Sequence, residues 1–304
     1  MSKVTAVISA FNEEEQIERC LKSLSFADEI IVVDNSSLDR TAEIAKKYTK
    51  KVFVQKNDPN LIDLQKNFGF EKASSEWILS IDADEEVPKE LAEEIRAVIK
   101  KKDGADGYWI PRKNIIFGKF IEHTGWYPDP QLRLFRKGKG KFVQAHVHEP
   151  IKLDGESAYL NEHLIHHHYK SIAEFMDRTV NVYAPNEAQN YLDKGYQLSY
   201  FDAIRFPLNE FVSRFFARKG YLDGFHGLML SFLMAFYHFI IFAYLWEKQG
   251  FKEHDKGDFL EETEKEFKKA GKEIVYWISK EKLERIKNPI QRNLQKISDR
   301  VRGL

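Results

Sequence analysis

Ile78-Leu79-Ser80-Ile81-Asp82-Ala83-Asp84-Glu85 is a short apolar run that stops abruptly on acids. The apolar part reads as a buried strand ending at Asp82. Side chains alternate across a strand, so Asp82 and Asp84 share a face if the chain stays extended. Two carboxylates side by side at a strand end repel each other unless a cation lies between them. Their oxygens suit Mg2+ or Mn2+, ions that commonly bridge protein carboxylates to substrate phosphates. The plain alternative is a solvated acidic turn ahead of a helix starting near Pro88, and the surrounding sequence has to decide.

Upstream, Val4–Ala10, Glu29–Val33 and Val52–Val54 are further compact apolar runs, separated by segments with helical spacing. Ile17, Cys20, Leu21 and Leu24 mark the first helix, Thr41–Tyr48 the second, and about Leu61–Ala73 the third. The alternation β-α-β-α-β-α-β predicts an α/β fold with a doubly wound sheet. In such sheets ligands bind beyond the C-terminal ends of the strands. The polar clusters fall there: Ser9 to Glu13, Asp34 to Asp39, and Asp82 to Glu85. No G-x-G-x-x-G and no G-x-x-x-x-G-K-[ST] occurs, which argues against a dinucleotide site and a P-loop.

Downstream, Gly125-Trp126-Tyr127-Pro128-Asp129-Pro130 is rich in turn formers. Gln131–Arg136 alternates apolar and polar residues, which predicts a half-exposed strand with Arg133 on its polar face. Phe142 to Pro150 holds His146, His148 and Glu149. His166, His167 and His168 lie on a last extended run, and three consecutive histidines offer a metal site as one reading; alternation sends His166 and His168 one way and His167 the other, and the preferred reading is structural or solvated.

Composition sets broad bounds. The 304 residues are 43% hydrophobic, enough for a large α/β domain with an appendage. Lys plus Arg balance Asp plus Glu at a net charge of +0, which gives no hint of nucleic acid. The single cysteine, Cys20, excludes an internal disulfide and a thiolate metal site, and fits a reducing compartment. The N-terminus enters a strand directly, which predicts no signal peptide. From about residue 171 the pattern turns helical. Gly227–Trp246 carries no charged residue apart from the titratable His238. That run is expected to form a membrane-apposed helix pair; a buried core helix and a true span are the alternatives. The tail beyond Lys248 reads as a charged, solvent-facing helix whose basic end, Arg285 to Arg302, is a second candidate contact with anionic lipid.

The ordered segments Ser9-Ala10-Phe11-Asn12-Glu13, Val33 to Thr41, Gln65-Lys66-Asn67-Phe68-Gly69 and Leu79 to Glu85 together resemble a family-2 inverting glycosyltransferase of GT-A fold. Gly125-Trp126-Tyr127-Pro128-Asp129, Arg133-Leu134-Phe135-Arg136, Val147-His148-Glu149 and Tyr221-Leu222-Asp223-Gly224 extend the likeness to the subgroup typified by lipopolysaccharide core β-glucosyltransferases. The resemblance implies a GT-A catalytic domain over 1–170, a mixed sheet flanked by helices, and a helical extension over 171–304 with an apolar segment at 222–246. It implies transfer of a hexose from a nucleotide-diphosphate sugar, expected to be a UDP-sugar, to a lipid-linked or cell-envelope saccharide. The enzyme would work in the cytoplasm against the inner face of the membrane, with Mn2+ or Mg2+ as cofactor.

Residue by residue, the resemblance puts Ser9, Ala10, Phe11, Glu13, Asp34 and Asn35 at the base and ribose. Asn35 stands where the family often has a second Asp. Lys66, Asp82, Ala83 and Arg133 would complete the donor site, with Asp82 near the ribose and Arg133 near phosphate. Asp84 and His148 would hold the metal, and Asp129, or else Glu149, would be the base that takes the acceptor proton. A peptide or protein acceptor is the nearest alternative. A nucleotidyltransferase would need a glycine-rich, basic loop after the first strand, where this chain has Phe11-Asn12-Glu13-Glu14-Glu15. A non-catalytic sugar-binding module would show no metal dependence.

Overall fold

The computed structural model describes residues 2–58, 63–101, 104–143, 150–253, 258–291 and 293–294. They fall into two compact units, Met1–Glu122 with Trp126–Lys170, and His123–Gly125 with Ser171–Leu304.

The first unit runs β1 (Val4–Ala10), α1 (Ile17–Ser23), β2 (Glu29–Asp34), α2 (Thr41–Ala45), β3 (Val52–Val54), α3 (Lys66–Lys72), β4 (Trp77–Asp82), β5 (Glu85–Glu86) and α4 (Lys89–Val98). It continues with β6 (Gly107–Ile110), β7 (Arg112–Ile116), β8 (Lys119–Phe120), β9 (Gln131–Arg136), β10 (Gly140–Lys141), β11 (Lys152–Leu153), β12 (Ser157–Tyr159) and β13 (Leu164–Tyr169). The main sheet has the order β12-β6-β9-β4-β1-β2-β3. β1, β2, β3 and β4 are mutually parallel, and β9 is inserted antiparallel between β4 and β6. This is the mixed, helix-flanked α/β sheet that the resemblance implies.

The continuous apolar runs follow from burial on both faces. Val4, Ala6 and Ile8 pack with Leu21, Leu91 and Ile95 from α1 and α4, whereas Val7 between them packs with Phe70 of α3 and Phe135. Register then aligns the polar strand ends: Ser9 lies beside Asp82, and Ala10 beside Asp34.

One strand departs from expectation. Gln131–Arg136 is not half-exposed; its burial pattern is that of an interior strand, because β4 and β6 flank it on both sides. Arg133 is therefore 5% exposed, on what its polar alternation marked as a solvent face. A second, four-stranded sheet, β5-β13-β7-β8, grows from the end of β4 through the two-residue strand β5. It sets His166 beside Glu85 on one side and Asn114 on the other.

The second unit is helical: α5 (Ile172–Arg178), α6 (Ala184–Asp193), α7 (Asp202–Val212), α8 (Phe225–Lys248) and α9 (Phe259–Arg285). Ser171 caps α5, its side chain accepting from Glu174 N, and Asp258 caps α9 in the same way through Glu261 N. α8 seats Ile241 and Leu245 against Ala184 and Ala188 of α6. Its first turn lies so close to Gly220 that a Cβ on Gly227 would meet the Gly220 carbonyl oxygen at 1.8 Å.

Gly69 holds α3 against the main sheet. A Cβ there would stand 2.4 Å from Val7 Cγ1 and 2.9 Å from Val33 Cγ2. Both neighbours are β-branched strand residues with little rotamer freedom. Gly69→Ala gains helix propensity but overpacks this contact, and the overpacking wins: urea denaturation should show a loss of ~1–3 kcal/mol. A midpoint at or above that of the wild type would show that the helix can lift off the sheet without cost.

Candidate active site

The strand ends build the site in three parts. The first is a pair of interlocked loops after β1 and β2. Asn12, with a left-handed φ of 56°, and Ser36, with φ of 59°, turn the two loops toward each other. Asn12 N donates to Ser37 Oγ (2.9 Å), Leu38 N to Asn12 Oδ1 (2.8 Å), Glu13 N to Thr41 Oγ1 (2.7 Å) and Glu14 N to Asp39 Oδ2 (3.0 Å). Phe11 stands 40% exposed at this rim. The amide of Asn35 is used within the wall. Its Nδ2 donates to Ser9 Oγ (2.8 Å), its Oδ1 accepts from Gln55 Nε2 (2.8 Å), and the residue is buried. Asn35 is thereby fixed in orientation at the end of β2. The open group at this end is the buried Asp34, whose Oδ2 accepts from Ser37 N (3.3 Å) while Oδ1 has no partner.

The acid cluster after β4 is the second part. The chain does not stay extended past Asp82. Ala83 and Asp84 form a turn, and Glu85 Oε2 accepts from Asp82 N (3.0 Å) to close it. Asp82 and Asp84 consequently meet different partners, contrary to the expectation that they share one face. Asp82 Oδ1 pairs with Lys66 Nζ at 2.7 Å and its Oδ2 with Arg133 Nη2. Burial alone would raise the Asp82 carboxyl; Arg133 and Lys66 outweigh it and hold the group well below the usual carboxylate range. Lys66 is itself buried, and its ammonium stays charged because Asp82 and Asp63 outweigh desolvation. Glu85 is 0% exposed and accepts from Arg133 Nη2 (2.8 Å) and Arg112 Nη1 (3.2 Å).

Asp84 differs from the others. Among the described residues no Lys or Arg pairs with it; its one ion-pair partner is His166, Nε2 to Oδ2 at 3.4 Å. Its Oδ1 is buried without a hydrogen-bond partner. Burial raises this carboxyl and the His166 imidazole more than offsets the effect, so Asp84 is held low as an anion. A buried carboxylate oxygen with no donor is a fit for a hard divalent cation. Among the described residues no group of three or more His, Cys, Asp or Glu gathers there, so an ion held by Asp84 and its neighbour His166 would take its remaining ligands from substrate phosphate and water.

The third part is Asp129, with φ of 40°. Its Oδ2 accepts from Arg112 Nε (3.0 Å) and Nη2 (2.6 Å) and from Asn114 Nδ2 (3.1 Å), and its Oδ1 only from Gln131 Nε2 (3.1 Å). Of the residues anticipated from sequence, Lys66, Asp82 and Arg133 form one ion-paired group, with Asp84 in the turn that follows β4 and Asp129 linked to the group through Arg112. Arg133 Nη2 donates to both Asp82 and Glu85, while its buried Nε has no hydrogen-bond partner among the described residues. His148 and Glu149 lie outside the described residues. Arg112, Asn114, Gln55 and His166 were not anticipated. Only His166 left a trace, in the strand alternation that separated it from His167.

Comparison with known proteins agrees with this arrangement. An uncharacterized glycosyltransferase of Rickettsia felis is 31% identical over 81% of this chain and 90% of its own length. The model of Glycosyl transferase family 2 matches residues 5–152, which include both interlocked loops, the acid cluster and Asp129. The chain belongs to that family. Lipopolysaccharide core biosynthesis glycosyltransferase LpsC of Rhizobium meliloti is 25% identical over 82% of this chain and 94% of its own. Among solved structures, S. aureus TarS 1-349 in complex with UDP is a remote likeness, at a TM-score of 0.44 and 16% identity over 84% of this chain and 94% of that one. As a family-2 glycosyltransferase, the protein is an enzyme, and its acids divide between those paired with a Lys or Arg and Asp84, which among the described residues is not.

That division can be measured. Glu85→Ala would leave Arg133 and Arg112 facing a buried gap and should cost ~3–5 kcal/mol in urea denaturation. Asp84→Ala removes a carboxylate with an unpartnered oxygen and should cost less than ~1 kcal/mol, because no buried Lys or Arg is left without its anion. Equal losses for the two variants would contradict the assignment of separate roles.

Proposed function

We propose that the protein is a divalent-metal-dependent inverting glycosyltransferase that moves a hexose from a UDP-sugar to a saccharide or lipid-linked acceptor of the cell envelope. The observation that carries this is the asymmetry of the acid cluster. Each carboxylate except Asp84 has a permanent cation, and Asp84 keeps one buried oxygen open beside the donor loops. Asp84 would hold Mn2+ or Mg2+, which when bound neutralises the charge that builds on the departing diphosphate. Ser9, Ala10, Phe11, Glu13 and Asp34 would line the nucleoside pocket, with Ala83 and the Lys66-held carboxylate of Asp82 completing it next to the ribose.

Inversion requires a single displacement. The acceptor oxygen bonds to the anomeric carbon as the bond from that carbon to the diphosphate oxygen breaks. The hydroxyl proton passes to a base, and the nucleoside diphosphate leaves with the bonding pair. Asp129 suits the base role through Oδ1, since three of its four donors sit on Oδ2. Arg112 fixes that orientation, and its charge is shared with Glu85.

The envelope acceptor is supported by α8. Phe225, Met229, Phe232, Phe239 and Trp246 are exposed and fall at spacings of 4, 3, 7 and 7, one stripe along the helix. The exposed Arg218 and Lys219 precede the helix, and Lys248 and Lys252 lie at its far end. An apolar stripe between basic ends fits a helix lying in the headgroup region. The helix is long and apolar enough to cross a bilayer by composition, but its other face meets Glu210 of α7 through His238 (3.7 Å), and Glu210 is paired with Arg214. A spanning pose would take that pair into hydrocarbon, which disfavours it.

Thermal shift against a panel of nucleotide sugars should show stabilisation by UDP-sugars that Mn2+ enlarges, and Asp84→Ala should abolish the metal-dependent part. Asp129→Asn should leave that shift intact and lower transfer by ~100-fold or more. Normal turnover by this variant would remove Asp129 as base.

Binding to the membrane is tested separately. Phe232→Ser with Phe239→Ser should reduce flotation with vesicles containing anionic lipid while leaving the UDP-sugar shift unchanged. Undiminished flotation would exclude the α8 stripe as the contact.

A further inference from the structure

Asn114 of β7 is 1% exposed and touches both ends of the site. Its Nδ2 donates to the Trp126 carbonyl and to Asp129 Oδ2 (3.1 Å). Both of those atoms are acceptors, so the amide cannot be turned over without setting its oxygen against two oxygens. Its Oδ1 therefore faces His166 Nδ1, at 2.6 Å. That contact is a hydrogen bond only if Nδ1 carries the proton and donates. The remaining ring nitrogen, Nε2, points at Asp84 Oδ2, 3.4 Å away, and His166 is 5% exposed. With a cation in place of the Nε2 proton that otherwise faces Asp84, an imidazole whose Nδ1–H is fixed by an oxygen acceptor presents its Nε2 lone pair there, the arrangement that metal-binding histidines adopt.

We propose that Asn114 is a positioning residue that serves both halves of the transfer. Its oxygen holds His166 with Nε2 toward Asp84, which makes His166 the second protein ligand for the cation, while its NH2 holds Asp129 with Oδ1 toward the acceptor. The inference rests on the glycosyltransferase reading above. It adds that the cation site is Asp84 with His166 and that a single buried amide sets both corners. An Ala at 114 loses both functions. An Asp at 114 keeps an oxygen for His166 Nδ1 and loses the donor to Asp129, so the two functions separate.

The test measures Mn2+ affinity of the full chain in the presence of UDP, by electron paramagnetic resonance of free Mn2+, alongside steady-state kinetics and a thermal melt of each variant. Asn114→Ala should weaken Mn2+ binding ~10–100-fold. His166→Ala should weaken it at least as much. Asn114→Asp should keep Mn2+ affinity within about twofold of wild type while kcat falls ~10-fold or more and KM for the donor holds. Each variant carries its own expected value, so failure of one to fold leaves the other two decisive. Wild-type Mn2+ affinity in a folded Asn114→Ala or His166→Ala overturns the proposal, as does an Asn114→Asp that loses as much metal affinity as Asn114→Ala. If the wild-type chain takes up no Mn2+ with UDP, the donor-site reading itself falls and this inference falls with it.

Discussion

The site depends on a guanidinium taken out of water. Arg133 is buried in the middle of the main sheet, where β4 and β6 close over both sides of β9, and it is tolerated there because Asp82 and Glu85 both accept from it. An unpaired charge in that position would be prohibitively costly, and so would either carboxylate without it. The three groups therefore stand or fall together. Lys66 from α3 and Arg112 from β7 extend the network outward, so a helix packed on the main sheet and a strand of the smaller sheet are tied to one electrostatic centre. Asp84, outside this arrangement, keeps an oxygen open: among the described residues no Lys or Arg pairs with it.

This bears on how the acids after β4 are to be understood. A cluster of carboxylates is usually explained by the metal it binds, yet here most of the negative charge is neutralised by the protein itself. Among the described residues Asp84 is the one member of the cluster to which no Lys or Arg is paired, and the proposed cation would be needed only there. A similar contrast holds at the end of β2, where Asn35 bonds Ser9 and Gln55 and Asp34 retains an oxygen with no partner among the described residues. In both places a carboxylate with an unspent atom sits beside a polar group locked into the wall.

Much of the fold is legible in the chain because parallel strands buried on both faces leave unbroken apolar runs. Val4–Ala10 and Trp77–Ile81 announce themselves in that way, and the polar residues that follow them mark the ligand edge. The order of motifs carries the family. What is not legible is which partner each acid takes. Arg112, Asn114 and His166 reach the site from strands distant in sequence, through a second sheet that no local pattern announces. Arg133 is the instructive case: its alternation with apolar neighbours is that of a half-exposed strand, and hydropathy cannot register that two carboxylates make burial possible. The bend at Ala83 and Asp84 is equally hidden, since Asp-Ala-Asp reads as extended until Glu85 is seen to accept from Asp82 N.

At Ala83 and Asp84 the chain passes from the main sheet into the smaller one across a short turn, with Asp82 on the near bank and Glu85 on the far one. Asp84 sits on that seam. His166 and Asn114 ride on the smaller sheet, whereas Asp129 leads into β9 and Asp34 ends β2 of the larger. The seam is welded from both sides: Arg133 of the larger sheet grips Glu85 of the smaller, and Arg112 of the smaller grips Asp129 at the edge of the larger, so the spacing between the two halves is set by guanidinium geometry.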